Sequence, residues 1–510
     1  MPEACPPPAE AGATPPGRQS ATGPRESLSG TQALRRDALT MPEVLAQSVA
    51  TMAPSAAMSL LPLLVFTSAG NGTWLSFVCA VLLMLCVSAC AAQLARRYSS
   101  AGSLYTWVGR SLGPGFGHAA GWGLLLGYLC AGMAGALGVG IFGTDLLTRC
   151  GLVVSGAGAW VVLVVVGFVP AVGMAILGAV LSTRASLVLE IISVTIILAL
   201  CAGVWVHNGG VIDLQQITLK GASPGGILVG VVLAIYSMSG FESAGSFGFE
   251  SRHPFRNVPR AILWSCLIVG MFYLVVVYTQ VFGFRGVPGG LATSQAPLAD
   301  LAHRIGLDPL AYLVDIGILC SIFAGVTSVI NASARIVVTM SEDGIAPKVL
   351  AHIHQRFRTP HLAILAVSLP VLAVPVSVVL ASRSPVDAVG WMASVATYGL
   401  MFSYALVSLA APVHLGRIGR PSLPTWVLGG IGFLTMIAVF YASWLPQTIP
   451  GGLFPPLTGV NACLPYVFLG WTVAGIAWYL VLRARNPEAA RRLGQRFDSL
   501  PGQAPVAGRD

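Results

Sequence analysis

Beyond residue 40 the chain repeats one pattern to its end: an apolar run of about twenty residues, a short polar or proline- and glycine-bearing break, then another run. A helix rising 1.5 Å per residue crosses a hydrocarbon core of ~30 Å in that length, so each run predicts a membrane-spanning helix. Twelve runs are counted, over residues 44–66, 74–94, 119–145, 159–180, 185–206, 225–247, 260–282, 310–338, 361–381, 387–411, 425–445 and 461–482. The first forty residues are rich in Pro, Ala, Ser and Gly and hold no apolar block, which predicts a disordered tail. They also lack the basic start and hydrophobic core of a secretory signal. The expected organisation is a cytoplasmic tail over 1–40, a ten-helix core over 41–411, helices eleven and twelve within 412–484, and a second cytoplasmic tail over 485–510.

Composition strengthens the membrane reading. Of 510 residues, 55% are hydrophobic and only 9% charged, where a soluble domain carries about 25% charged residues to face water. The excess of 28 Lys and Arg over 19 Asp and Glu lies between apolar runs and not on one face, which argues against a nucleic-acid partner. With the N-terminal tail placed in the cytoplasm, 23 of the 28 basic residues fall on that side and five on the other: Arg149, Lys220, Arg285, Arg304 and Arg383. Positive charge is retained on the cytoplasmic side, so the tally predicts a multi-pass plasma-membrane protein with both termini inside.

Several chemistries drop out on motif grounds. A Walker-type nucleotide loop ends in GK[ST], but Lys220 and Lys348, the only lysines, follow Leu and Pro. A GxGxxG occurs at Gly138, Gly140 and Gly143, but in the middle of the third apolar run, where it predicts close helix packing. No HExxH or GxSxG arrangement offers hydrolytic chemistry, and the ten cysteines form no CxxC pair, so hydrolysis, a bound metal and disulfides are not expected and no cofactor is implied. His352, His354 and His361 flank Arg356 and Arg358 and are read as solvated loop residues.

The informative positions break the apolar rule. In the first run, QSVATMAPSAAMSLLPLL, Pro54 removes a backbone donor and crowds the preceding turn near Thr51, Ser55 and Ser59. Carbonyls freed inside a membrane persist only where helices, side chains or a water-filled cavity satisfy them, so the segment is either a plain kink or part of a site. In the sixth run, ILVGVVLAIYSMSGFESAGSFGF, Ser237, Ser239, Gly240 and Ser243 surround Glu242. An acid at that depth costs about 3 kcal/mol on insertion scales, so it faces the bundle interior, as a proton or cation site or bonded to a neighbouring helix.

The interrupted runs are the first and the sixth, matching places in two five-helix halves. Transporters built from inverted repeats share this feature, with half-helix amino ends directed at an anion and unwound carbonyls at a cation. A zwitterion fits such a pair of breaks.

The stretch YSMSGFESAGSFGFESRHPFRNVPRAI, over 236–262, closely resembles the sixth helix and following loop of the amino acid, polyamine and organocation superfamily. SSAGSLYTWVGRSLGPGFGHAAGW, over 99–122, and NASARIVVTMSEDGIAP, over 331–347, agree with it, and the resemblance spans about residues 40–485. It implies an all-helical fold of twelve membrane helices, a five-plus-five inverted repeat followed by two additional helices, and an amino acid or related amine as substrate. Carried over by position, it implies that backbone N–H groups of Ser55, Ala56 and Ala57 receive the substrate carboxylate. The segment Tyr236, Ser237, Met238, Ser239, Gly240 and Phe241 would receive the amine, with Tyr236 as an aromatic gate. Glu242 resembles the acid that couples protonation or substrate binding to helix movement. One departure matters: the family's first break is usually glycine-rich, whereas this chain has Pro54, Ser55, Ala56 and Ala57.

Relatives with a lysine on the fifth helix use it in place of sodium; this chain carries Glu190 there, read as a proton site or as a partner of Arg184. Thr327 and Ser328 stand where sodium-coupled transporters of this fold place hydroxyl ligands, although such hydroxyls also bond back to helix carbonyls. Asp315 and Arg335, near the ends of the eighth run, receive no role, and Trp444, Trp471 and Trp478 mark candidate interface belts. Proton-coupled uptake is the leading expectation, with exchange and sodium symport as alternatives. A transporter-like sensor would append a folded signalling domain, and a membrane enzyme would need several convergent catalytic groups where only Glu242 is well placed.

Overall fold

A computed structural model describes residues 30–152, 156–294, 296–444, 459–493 and 498–499. It is almost wholly helical. The first apolar run is divided into α1 (Met41–Met52) and α2 (Pro54–Ala69), and α3 (Thr73–Ala95) follows. A short α4 (Leu104–Leu112) leads into α5 (Pro114–Arg149), then α6 (Ala157–Leu177), α7 (Ala179–His207) and the single turn α8 (Leu214–Ile217). α9 (Pro224–Ser237) gives way to a 3₁₀ segment (Phe241–Glu250) before α10 (Pro254–Gly283), α11 (Pro297–Arg304), α12 (Asp308–Glu342) and α13 (His361–Leu380). The chain continues through α14 (Pro385–Arg417), α15 (Leu423–Trp444), α16 (Leu464–Arg485) and α17 (Pro487–Arg492).

Among the described residues, 11 stretches are long and apolar enough to cross a membrane. The first, Met41–Ala95, is 55 residues long and holds the first two expected runs, on either side of the Gly70–Gly72 turn. The helices extend the other runs by a turn or less at most ends. Residue 445 of the eleventh run, and positions 1–29 of the expected N-terminal tail, lie outside the described residues.

Burial divides the bundle. In α12, 72% of the apolar stretch is buried, against 11% in the stretch Gly459–Arg485, so α12 is central while α16 presents an apolar outer face suited to lipid. The Gly138, Gly140 and Gly143 motif is close packing, as expected: a methyl group at Gly140 would stand 2.1 Å from the Trp160 ring, and one at Gly143 would stand 2.9 Å from Leu163.

One boundary needs correction. Residues 30–40, assigned to the disordered tail by composition, run as a strap against the helix ends. Thr31 donates to the Glu342 carboxylate through its backbone N–H (2.7 Å) and its hydroxyl (2.8 Å). The amides of Ala38 and Leu39 both donate to the Glu250 carbonyl at 2.9 Å, and Arg252 N–H returns a bond to the Leu39 carbonyl. Two isolated leucines explain the error: Leu34 and Leu39 are fully buried, enough to anchor a polar segment whose average composition reads as disorder.

Candidate functional site

Both interrupted helices are broken in the backbone, and they face each other. Ala53 closes α1 in the left-handed conformation (φ 43°, ψ 62°), and Pro54 is the first residue of α2. The chain therefore does not bend around Pro54 inside one helix, as the proline alone suggested. It stops at Ala53 and restarts at Pro54, where the missing N–H is harmless because a first-turn donor has no intrahelical partner. A non-glycine residue at this φ costs roughly 1–2 kcal/mol, which the surrounding packing must supply. In the second break, Gly240 (φ 119°) turns the chain from α9 into the 3₁₀ segment. A side chain there would meet Thr51 and the Met52 amide at 2.9–3.1 Å, so the two breaks touch at a position that only glycine fits.

The loosened main chains are tied by side chains. Ser48 Oγ donates to the Phe241 carbonyl (2.7 Å) and accepts from the Ala244 amide (3.1 Å), while Ser243 Oγ lies 2.9 Å from Thr51 Oγ1. The Tyr273 hydroxyl sits between the Ser237 carbonyl (2.8 Å) and the Met52 carbonyl (3.3 Å), one freed group from each break. Gln280 donates to the Met58 carbonyl (2.7 Å) and Gln47 to the Ser328 carbonyl (2.8 Å).

A cavity of about 760 Å³ lies against both breaks, lined there by Thr51, Met52, Ala53, Ala56 and Ala57 on one side and Tyr236, Ser237, Ser239 and Gly240 on the other. Its mouth carries Leu64, Thr67, Asp387 and Asn461, away from the strap. At the strap end the bundle is shut. Arg335 and Glu250 form a fully buried pair (2.6 and 3.2 Å), with the guanidinium 3.8 Å above the Phe247 ring.

The expected residues separate into groups. The N–H groups of Ser55 and Ala56 head α2 ahead of its first intrahelical bond, and Ala56 N–H reaches toward Ser321 Oγ at 3.4 Å. Ala57 does not share that freedom, because its N–H is bonded to the Ala53 carbonyl at 2.9 Å. Ser55 is fully buried and its side chain is not part of the wall. Tyr236, Ser237, Ser239 and Gly240 line the cavity, whereas Met238 and Phe241 are buried outside it, Phe241 stacked on the Tyr404 ring at 5.2 Å.

Glu242 lies just below the wall. Its carboxylate accepts from the Tyr128 hydroxyl (2.8 Å), the Tyr404 hydroxyl (2.7 Å) and the Gly240 N–H (3.2 Å), which ties the second break to α5 and α14. Glu190 does not pair with Arg184, which binds Glu43 at 2.9 Å. Instead both Glu190 oxygens lie 3.0–3.1 Å from Ser321 Oγ, the same hydroxyl that approaches Ala56 N–H. The Thr327 hydroxyl donates to the Phe323 carbonyl (2.8 Å), the back-bonding alternative, and neither Thr327 nor Ser328 lines the cavity. Asp315, left without a role, is buried beside Arg149 at 3.1 Å.

Sequence reading missed Tyr128, Tyr404, Tyr273 and Ser321. No local pattern marks a tyrosine as the partner of an acid 114 or 162 positions away; only the expectation that a buried acid needs donors pointed to such residues.

Comparison with known proteins agrees with this arrangement. A family model described as amino acid permease matches residues 43–473. An uncharacterized transporter of Mycobacterium tuberculosis is 26% identical over 424 residues, covering 83% of this chain and 87% of its own length. A branched-chain amino acid permease of Bacillus subtilis is 25% identical, covering 74% and 81%, and a low-affinity putrescine importer of Escherichia coli is 25% identical, covering 57% and 64%. With a match across most of its length and two broken helices around a shared cavity, the chain belongs to the amino acid permease family, within the amino acid, polyamine and organocation superfamily.

Proposed function

We propose that this protein is a secondary active transporter that takes up an amino acid across the plasma membrane by alternating access, coupled to protons. The observation that carries the reading is the pairing of two backbone breaks on one cavity. The amino end of α2 offers N–H groups and the positive end of a helix dipole to a carboxylate, and the end of α9 offers carbonyls to an ammonium. We read the 11 apolar stretches as twelve crossings, counting Met41–Ala95 as two, with the first ten as a five-plus-five inverted repeat and both termini cytoplasmic. In that orientation the cavity opens outward and the strap, with Arg335 and Glu250, closes the cytoplasmic side.

Glu242 suits the coupling role because all three of its neighbours donate. An ionised carboxylate accepts from both tyrosines and Gly240 together. Protonation turns one oxygen into a donor, so one of those bonds must rearrange, and the link between the second break and α5 or α14 loosens. Glu190 is the second proton site in this scheme, since Ser321 connects it to the proposed carboxylate donor at Ala56.

The test is uptake of labelled amino acids into proteoliposomes with an imposed pH gradient. The reading expects saturable accumulation that a protonophore abolishes. Accumulation that ignores the protonophore but follows a sodium gradient or internal amino acid overturns proton coupling, and binding without accumulation overturns transport.

A further inference from the structure

We infer that the substrate is a neutral amino acid with an apolar side chain, received in an apolar slot of the cavity walled by the small face of α5 and the branched face of α12, which pack against each other. The inference rests on the two-break reading above for the position of the zwitterion and deepens it by naming the substrate class.

The slot follows from helical spacing. On α5, Ala131, Ala134 and Gly135 share a face of the cavity, and on α12 Ile322, Val326 and Val329 recur at intervals of four and three and line it beside them. The two helices pack directly on each other there, since a methyl group at Gly135 would stand 2.6 Å from Val326 Cγ2, so their faces join into one continuous apolar wall. Small residues of one helix and β-branched ones of the other together line the cavity with hydrocarbon, directly beside the breaks that would hold the charged ends.

The charge inventory of the wall points the same way. Among the described lining residues there is no Lys, Arg or His, and the one carboxylate is Asp387, which is exposed at the mouth. Glu242 is outside the wall with its oxygens engaged by Tyr128, Tyr404 and Gly240, and Glu190 stands behind Ser321. A side-chain ammonium or a second amine in the slot would be desolvated without a counter-charge, and a side-chain carboxylate would meet no cation.

The serine and threonine hydroxyls of the wall do not alter this. Thr51 donates to the Gln47 carbonyl, Ser237 to Ala234, Ser239 to Ile235, Ser394 to Gly390 and Thr397 to Ala393. Each proton is committed to its own helix, so a polar side chain in the slot would find few free donors. An apolar one loses nothing there and gains contact.

The experiment measures labelled leucine uptake in proteoliposomes holding the full chain, in competition with unlabelled leucine, valine, methionine, alanine, lysine, arginine, glutamate and putrescine. Thermal stabilisation of purified protein by the same compounds is read separately. The expected result is that leucine, valine and methionine compete at least about tenfold better than lysine, arginine, glutamate or putrescine. Ala134→Leu, which fills the slot from the α5 side, is expected to lower competition by leucine while sparing that by alanine. Should Ala134→Leu fail to fold, the wild-type selectivity alone decides. Accumulation of labelled lysine or putrescine in preference to leucine overturns the substrate class and leaves the transport reading intact. Stabilisation by leucine without accumulation of any amino acid upholds the class and overturns the transport reading.

Discussion

The Glu242 carboxylate and the Tyr404 hydroxyl meet at 2.7 Å, joining the second helix break to α14, and Tyr128 completes the clasp from α5 at 2.8 Å. A buried hydrogen bond to a charged group is worth about 1.5–3 kcal/mol, enough to shift an equilibrium between two helix arrangements by tenfold or more. Glu242→Gln is expected to insert and fold but to lose the pH dependence of uptake, because an amide cannot take up and release a proton. Uptake measured across a range of external pH checks this; an unchanged pH profile in the variant contradicts the coupling role.

Tyr404→Phe and Tyr128→Phe separate the clasp from the proton site. Each removes one donor and leaves the acid with the other. Each is expected to alter the maximal rate of uptake more than the apparent affinity, since neither hydroxyl is assigned to the zwitterion. Initial rates over a range of substrate concentration give the split.

Arg335 and Glu250 are both fully buried, so removing one partner strands the other. Arg335→Met is expected to destabilise the protein by about 3–5 kcal/mol, while the double replacement with Glu250→Leu recovers much of the loss, as for other buried ion pairs. Thermal unfolding in detergent measures both. A single replacement with no effect would mean that the pair contributes nothing to closing this end of the bundle.

The first break carries its own strain. Ala53→Gly relieves a left-handed alanine but adds freedom to the unfolded chain, so a net stabilisation of roughly 0–1 kcal/mol is expected. Gly325→Ala has the opposite sign. Its methyl group would stand 2.9 Å from Ala53 Cβ and 3.2 Å from the Ala50 carbonyl, and overpacking of this kind costs about 1–3 kcal/mol. The thermal midpoints of the two variants should move in opposite directions.

The strap makes a further prediction. Glu342→Gln keeps the shape but weakens the two bonds that hold Thr31. Amide exchange over residues 30–40 is expected to quicken by about tenfold while exchange within α12 changes little. Equal exchange in both proteins would mean that the Thr31 bonds to Glu342 do not hold the segment, leaving the leucine anchors and the main-chain bonds to Glu250 and Arg252.

Much of the helical layout was legible in the sequence because runs of twenty apolar residues have few alternatives in a membrane. The location of the breaks was legible too, since Pro54 and the Ser-Gly cluster before Glu242 are costly inside a helix, although the residue that turns the first break, Ala53, is the kind that no propensity marks. Whether a hydroxyl or amide faces the cavity was not legible. Ala57 differs from Ala56 only in standing one residue further from the start of α2, and Thr327 bonds back to its own helix as Thr51 does but is turned away from the cavity by helix register across the bundle. Long-range partners such as Tyr404 for Glu242 and Ser321 for Glu190 depend on packing between elements far apart in the chain. Leu34 and Leu39 show the reverse failure, where two residues outweigh the average composition of their segment.

The central claim, that the two breaks together hold a zwitterion, is tested most directly by displacement of bound labelled leucine with leucinamide, 3-methylbutylamine and 4-methylpentanoate, which lack in turn the free carboxylate, the whole carboxyl group and the amine. The account predicts that each binds at least about a hundredfold more weakly than leucine, because a main-chain cradle left half empty keeps its polar groups unpaired. Displacement by any of the three at the concentration where leucine itself is effective would contradict it.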